Sequence, residues 1–206
     1  MTQFIGDVHG KYDRYIKVSK PGSIQVGDFG FGFFTRVKGH RRFIDNNLHI
    51  PDDRWVLRGN HDSPKLCAKH NRCLDDWGSV PTNEDIFYIS GAWSIDYQWR
   101  VEGVSWWRDE ELSYEELQRA IESYEVLKPK IVVSHTCPAS VAETFLAQTH
   151  KPYYGMGRTE NALESMFELH KPEVWIFGHW HTSLDFTMKG TRFVCLNELE
   201  TIEINT

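Results

Sequence analysis

The sequence predicts an α/β fold in which two mixed β-sheets pack against each other and are flanked by helices. Three observations carry this reading. Five short apolar runs each finish in a polar residue able to hold a metal, helical patterns lie between them, and beyond residue 180 the pattern turns to strands alone. Short apolar runs bounded by Gly and polar turns read as buried core strands. Strands that occur both in βα units and in meanders imply two sheets rather than one.

Taken in order, Phe4-Ile5 forms the first core strand and ends in Gly6-Asp7. Tyr12 to Lys20 reads as a helix, Ser23 to Val26 as a strand ending in Gly27-Asp28, and Thr35 to Asn47 as a helix. Trp55 to Leu57 is the third core strand and runs into Arg58-Gly59-Asn60-His61-Asp62. Further strand signal lies at Ile86 to Ile89, Ala92 to Tyr97 and Arg100 to Val104. A helix over Ser113 to Leu127 opens with a capping box, Ser113 with Glu116. The fourth core strand, Lys130 to Val133, ends in Ser134-His135. Helices over Ala139 to Thr149 and Thr159 to His170 follow, the second closed by Lys171-Pro172. The fifth, Val174 to Phe177, ends in Gly178-His179-Trp180-His181. A hairpin over Leu184 to Met188 and Arg192 to Cys195 turns at Lys189-Gly190, and Thr201 to Ile204 is the last strand. Ligands collect outside the carboxyl ends of strands in α/β sheets, so the pattern predicts one site at one sheet edge.

At 206 residues the chain is expected to form a single domain over 1–206. Its 40% hydrophobic and 25% charged residues bury a core and exclude a disordered or repetitive architecture. A net charge of −6 speaks against a general nucleic-acid binder, though not against a locally positive site. No apolar run approaches the roughly 18 residues of a membrane helix, and the start MTQFIGDVHG has the features of no signal peptide. No membrane partner and a cytoplasmic location are expected. The four cysteines show no C-x-x-C spacing and read as reduced thiols. Ten histidines is a high count, and His is the commonest metal ligand.

The strand-end residues are Asp7-x-His9, Asp28, Asn60-His61-Asp62, His135 and His179-x-His181. Side chains at i and i+2 just past a strand can turn toward one point, which makes Asp7 with His9, and His179 with His181, natural chelating pairs. Glycines stand before Asp7, Asp28, Asn60 and His179, where a missing side chain lets the backbone approach an ion. Asp28, alone at its strand end, is placed to bridge two cations. Singly these residues are commonplace turn, cap or core residues; the ordered set is what carries information.

GDVHG, GDFG, GNHD, SH and GHWH, in that order over residues 6 to 181, resemble the metallophosphoesterase superfamily, also called calcineurin-like phosphoesterases. The resemblance implies a four-layer αββα sandwich. It implies one metal held by Asp7, His9, Asp28 and His181, and a second held by Asp28, Asn60, His135 and His179. His61 would lie beside the phosphoryl group as proton donor or charge stabiliser, with Asp62 behind it as its orienting partner. In that ligand set only Asp7 and Asp28 carry charge, so two divalent cations leave the centre positive and attractive to phosphate. Mixed imidazole and carboxylate ligation suits Mn, Fe, Zn, Co or Ni better than Mg or Ca, with Mn favoured. Two metals roughly 3.5 to 4 Å apart can acidify a bridging water for in-line attack.

The expected activity is therefore hydrolysis of a small phosphate ester, a diester in preference to a monoester. A protein phosphatase, a nuclease and a metal-binding scaffold without turnover are the alternatives. Phosphatases of proteins in this superfamily show Gly-Asp-x-x-Asp-Arg-Gly at the second motif; Gly27-Asp28-Phe29-Gly30-Phe31-Gly32 lacks the Asp-Arg pair. Arg58, Arg100, Arg108 and Arg158 are candidate replacements for that arginine. The basic stretch Arg36 to Arg42 reads as a solvated helix face before an oligonucleotide contact. Phe29, Phe31, Phe33 and Phe34 either stack on a base or pack beneath the site, and Trp106-Trp107 and Tyr153-Tyr154 are ambiguous in the same way. Cys137 fits no ligand spacing.

Overall fold

The computed structural model describes residues 1–33, 35–37, 40–42, 49–149 and 155–206. In chain order its elements are β1 (Thr2–Ile5), α1 (Tyr12–Val18), β2 (Ile24–Gln25), β3 (Thr35–Val37), β4 (His40–Arg42), β5 (Trp55–Val56), α2 (Pro64–Cys67), β6 (Trp77–Val80) and β7 (Asn83–Ile89). They continue with a 3-10 turn (Tyr97–Trp99), α3 (Tyr114–Leu127), β8 (Ile131–Ser134), α4 (Ala139–Thr149), α5 (Arg158–Leu169), β9 (Val174–Phe177), β10 (Leu184–Met188), β11 (Thr191–Cys195) and β12 (Thr201–Ile204). One sheet has the order β12-β1-β2-β5, the other β10-β11-β9-β8-β7-β6. Both are mixed: β1, β2 and β5 are parallel with β12 antiparallel beside them, and the parallel set β7, β8, β9 and β11 is flanked by antiparallel β6 and β10.

Strand periodicity sorts the apolar residues into three cores. Successive side chains point to opposite faces, so Ile86 and Tyr88 of β7 join Ile131, Val133 and Ile176 between the sheets, where they meet Phe4, Ile24 and Ile204. Their neighbours Phe87, Ile89, Val132, Trp175 and Phe177 face the other way, onto Leu117, Ala120 and Tyr124 of α3 and Leu163, Met166 and Phe167 of α5. On the far side, Ile5 and Val56 pack with Tyr15 of α1, Phe29, Phe31 and Cys67 of α2. Strands covered on both faces read as continuous apolar runs, and the result is the expected four layers, helix, sheet, sheet, helix. Ser113 caps α3: its hydroxyl accepts from the Glu116 amide and the Glu116 carboxylate accepts from the Ser113 amide.

The structure departs from the sequence reading in three places. Thr35 to Arg42 forms an antiparallel pair, Thr35 opposite Arg42 and Val37 opposite His40, in place of the expected helix; residues 43–48 lie outside the described residues. Two residues, Lys38-Gly39, separate the paired ends, and a Gly-containing pair after the β-branched Thr35 and Val37 is a hairpin signal that the run of charges obscures. Ala92 to Val104 is an irregular crossover with one 3-10 turn rather than strands. It has no second sheet face to cover it, and Ile95, Trp99 and Val101 stand exposed. The core strands also divide between the two sheets, so the site lies where two sheet edges meet, not at one. Among the described residues no helix is long and apolar enough to cross a membrane.

Candidate metal centre

The strand-end loops are stitched to one another before any side chain is considered. The amides of Val8 and His9 both donate to the Asp28 carbonyl, at 3.0 and 2.8 Å, and the Gly10 amide donates to the Phe29 carbonyl at 2.9 Å. His9, Asp28, His179 and His181 all adopt positive φ, between 46° and 68°. That conformation costs a non-glycine residue about 1–3 kcal/mol and is characteristic of functional sites. Two glycines make room for the carboxylates: a Cβ on Gly59 would stand 2.2 Å from Asp28 Oδ1, and one on Gly178 2.2 Å from Asp7 Oδ1.

Two groups of donors result, with Asp28 common to both. In the first, ligand atoms of Asp7, His9, Asp28 and His181 all lie within 4.8 Å of one another. His9 Nε2 is 2.9 Å from His181 Nε2, and Asp7 Oδ2 is 3.3 Å from His181 Nε2 and 3.6 Å from His9 Nε2. Asp7 Oδ2 is fully buried and accepts no hydrogen bond. In the second, His135 Nε2 is 3.1 Å from both Asp28 Oδ1 and Asn60 Oδ1, and His179 Nδ1 is 3.0 Å from Asn60 Oδ1. His135 Nδ1 faces the Val26 carbonyl at 3.0 Å, which assigns its proton there. In the neutral ring Nε2 is then a lone pair directed at two oxygen acceptors. Lone pairs converging on a buried point are stable only with a cation between them, and an orphaned Asp7 oxygen says the same of the first group. These residues fit two divalent ions.

The charge states agree. Burial opposes ionisation of Asp7 and Asp28, but the His181 and His9 imidazoles beside Asp7, and the charges of His135 and His61 near Asp28, hold both carboxyls below the usual range. Burial disfavours charge on His135 too, yet Asp28 prevails and raises it to about 9. That proton occupies the role an ion would take. Burial lowers His179 to about 3 and His61 to about 4, so both rings are neutral near pH 7.

His61 sits at the edge of this centre, its Nδ1 3.2 Å from Asp28 Oδ2 and its amide donating to Asp28 Oδ1 at 2.7 Å. Phe33 stacks on its ring at 4.3 Å. Asp62 does something other than orient that ring. Its two oxygens accept from the amides of Phe29, Gly30, Phe31 and Gly59 at 2.6 to 3.1 Å. These four bonds fill the acceptor capacity of a carboxylate, so Asp62 ties the second motif loop to the third and acts on His61 only through the backbone. Burial and the charge of Asp28 push its carboxyl up to about 6 against the pull of the amides.

A cleft of about 380 Å³ opens beside Asp28, Asn60, His61, His179 and His181. Trp93, Ile95, Leu146, Met156 and Trp180 give it an apolar wall, and Arg100 lines it as well. Of the candidate arginines, Arg58 is committed to Asp76 and the Glu110 carbonyl, Arg158 to the carbonyls of Leu112 and Glu111, and Arg108 to Glu102 on the surface. Arg100 is anchored by Asp96 at 2.6 Å with its guanidinium 5.6 Å from the Phe33 ring. Phe29 and Phe31 are buried packing beneath the site, while Phe34, Tyr153, Tyr154 and the side chains of Arg36 to Arg42 lie outside the described residues. Trp107 packs 6.0 Å from Phe33 and Trp106 against Tyr97. The tryptophans of the cleft are instead Trp93, which no motif marks, and Trp180, which stands between His179 and His181. Cys137 is buried in the apolar core shared with α3 and α5, its thiol pushed up by desolvation.

The sequence model of the calcineurin-like phosphoesterase family matches residues 3–183. Among solved structures, one described as GAP50, the anchor in the inner membrane complex of Plasmodium, is similar at 10% identity with a TM-score of 0.47, covering 95% of this chain and 71% of that one. No curated protein is similar enough in sequence to be counted a relative.

Proposed function

We propose, from the premise that this chain belongs to the calcineurin-like phosphoesterase family, that it hydrolyses a small phosphate diester at the strand-end centre with two divalent transition-metal ions, Mn²⁺ in preference. The observation that carries the reading is Asp28, whose oxygens face His135 on one side and His9 and His61 on the other. A buried carboxylate shared by two groups of lone pairs is suited to bridging the ions of a dinuclear site. When bound, the two ions would polarise a phosphoryl group and make a water acidic enough to attack it.

The chain's own residues supply the rest. Asp7, His9 and His181 would hold one ion and Asn60, His135 and His179 the other, with Asp28 between. Asp7 and Asp28 stay ionised and His179 neutral, the states that ligation needs. His61 lines the cleft next to Asp28 and is placed to hydrogen-bond the phosphoryl or leaving oxygen. Arg100 offers a fixed cation across the cleft, and the wall of Trp93, Leu146, Met156 and Trp180 would exclude water and take the organic part of the ester. The modest volume favours a small substrate over a protein or a nucleic-acid strand. Four free cysteines support a reducing, cytoplasmic setting, which cell fractionation would check.

The test is hydrolysis of bis-p-nitrophenyl phosphate beside p-nitrophenyl phosphate by chelated and Mn²⁺-reconstituted protein. Metal-dependent turnover with the diester ahead is expected. A monoester preference would overturn the diester assignment, competition by single-stranded DNA would favour a nuclease, and no turnover with two ions bound would favour a scaffold.

A further inference from the structure

We infer that Ser94 and Glu110 are positioning residues that fix the orientation of the Asn60 amide, and so decide whether its oxygen or its nitrogen faces His135 and His179. The inference rests on the metal reading of that site. An asparagine amide is nearly symmetric in shape, and its two ends have opposite chemistry: the oxygen can ligate a cation and the NH₂ group repels one. Something outside the ligand set has to choose between them.

The selection runs through three side chains. Glu110 is buried and accepts twice from Ser94, from its amide at Oε1 and from its hydroxyl at Oε2, both at 2.7 Å. A carboxylate only accepts, so the single hydroxyl proton of Ser94 is committed to Glu110. The Ser94 oxygen then presents lone pairs to Asn60, 2.9 Å away, and only the NH₂ end can answer them. Asn60 Oδ1 is left pointing the other way, at His135 Nε2 and His179 Nδ1. The rotated amide would set an oxygen against the Ser94 oxygen and an NH₂ group at the point where the lone pairs converge.

The framework around this relay is as fixed as the relay itself. Arg58, two residues before Asn60, donates to the Glu110 carbonyl at 2.8 Å, and its own carbonyl accepts from the Gly91 amide at 2.9 Å. The strand end that carries Asn60 is thereby joined to both ends of the crossover that carries Ser94 and Glu110. Outer partners of this kind typically change metal affinity about 10- to 100-fold when removed.

The test is a Mn²⁺ titration of chelated protein followed by calorimetry and Mn²⁺ EPR. It is run at roughly pH 8, above the value of about 7 to which burial raises the Glu110 carboxyl. Wild type is expected to show two binding steps. In Ser94→Ala and in the near-isosteric Glu110→Gln, one step should weaken about 10- to 100-fold while the other, at Asp7, His9 and His181, stays put; Ser94→Thr, which keeps the hydroxyl, should restore it. Equal weakening of both steps, or of neither, would refute the positioning role. A wild type that takes up fewer than two ions would overturn the metal reading itself, so the two failures are distinguishable. Should Ser94→Ala not fold, as its urea transition would reveal, Glu110→Gln decides the question alone.

Discussion

Replacing Gly59 by alanine adds one methyl group at the most crowded point of the centre. The new Cβ would lie 2.2 Å from Asp28 Oδ1, 2.3 Å from the Asp28 amide nitrogen and 2.8 Å from His135 Nε2. Ordinary contact requires roughly 3.5 Å, so the carboxylate has to retreat by about 1 Å. Neither of the near groups is a flexible side-chain tip: the Asp28 backbone is held by Val8 and His9, and its carboxylate by the His61 amide. Metal–ligand distances tolerate about 0.2 Å, and a misplacement of about 1 Å costs on the order of 100-fold in rate. Overpacking of this sort destabilises by about 1–3 kcal/mol, which leaves a domain of this size folded. The expected result is a folded protein, seen in its urea transition, that no longer takes up two Mn²⁺ ions in a titration. Gly59→Ala protein that bound two ions with unchanged affinity would refute the argument that Asp28 is shared between them at this spacing.

His61→Ala should lower turnover about 100- to 10,000-fold while both ions remain bound, checked by metal analysis beside the diester assay. Asp28→Asn should lose turnover and at least one ion, because an amide offers one ligating oxygen where the carboxylate offers two. Arg100→Ala should lower kcat/KM roughly 10- to 100-fold, the worth of a charge-assisted hydrogen bond, and Arg100→Lys should recover little of it if the planar fork is what is used. In the chelated protein the raised pKa of His135 contributes stability that is whole below the unfolded value of about 6.5 and is lost as pH rises through about 9. Urea midpoints should accordingly fall between pH 7 and 9 without metal and hold steadier with it, because an ion replaces that proton.

The ligands were legible because they cluster at the ends of short apolar runs, four of them directly after a glycine that the crowding demands. Asp7, Asp28, Asn60 and His179 all follow that rule, and the structure brings them together with His9, His135 and His181. The residues that no motif marks act through space rather than spacing. Ser94 and Glu110 lie 34 and 50 residues beyond Asn60 in a crossover without periodicity, and nothing in the residues themselves says that a serine there will face an asparagine. Adjacency in sequence makes Asp62 a partner of His61, whereas four backbone amides occupy both its oxygens. The pair β3 and β4 was hidden because charges at Arg36, Arg41 and Arg42 look the same on a helix and on an exposed hairpin.

The division of the centre between the sheets also bears on how the chain reaches its native state. Asp7, His9, Asp28 and Asn60 follow strands of one sheet, and His135, His179 and His181 follow strands of the other. The nitrogens of His9 and His181 meet across 172 residues of chain. Neither half of the centre exists until both sheets have formed and docked, and closing such long loops is costly before the contacts reward it, so the centre is expected to assemble late in folding. Contacts that form so late govern the rate of unfolding far more than the rate of folding. The centre is thus a latch on the finished molecule: filling it should lengthen the native lifetime while leaving the speed of folding almost untouched.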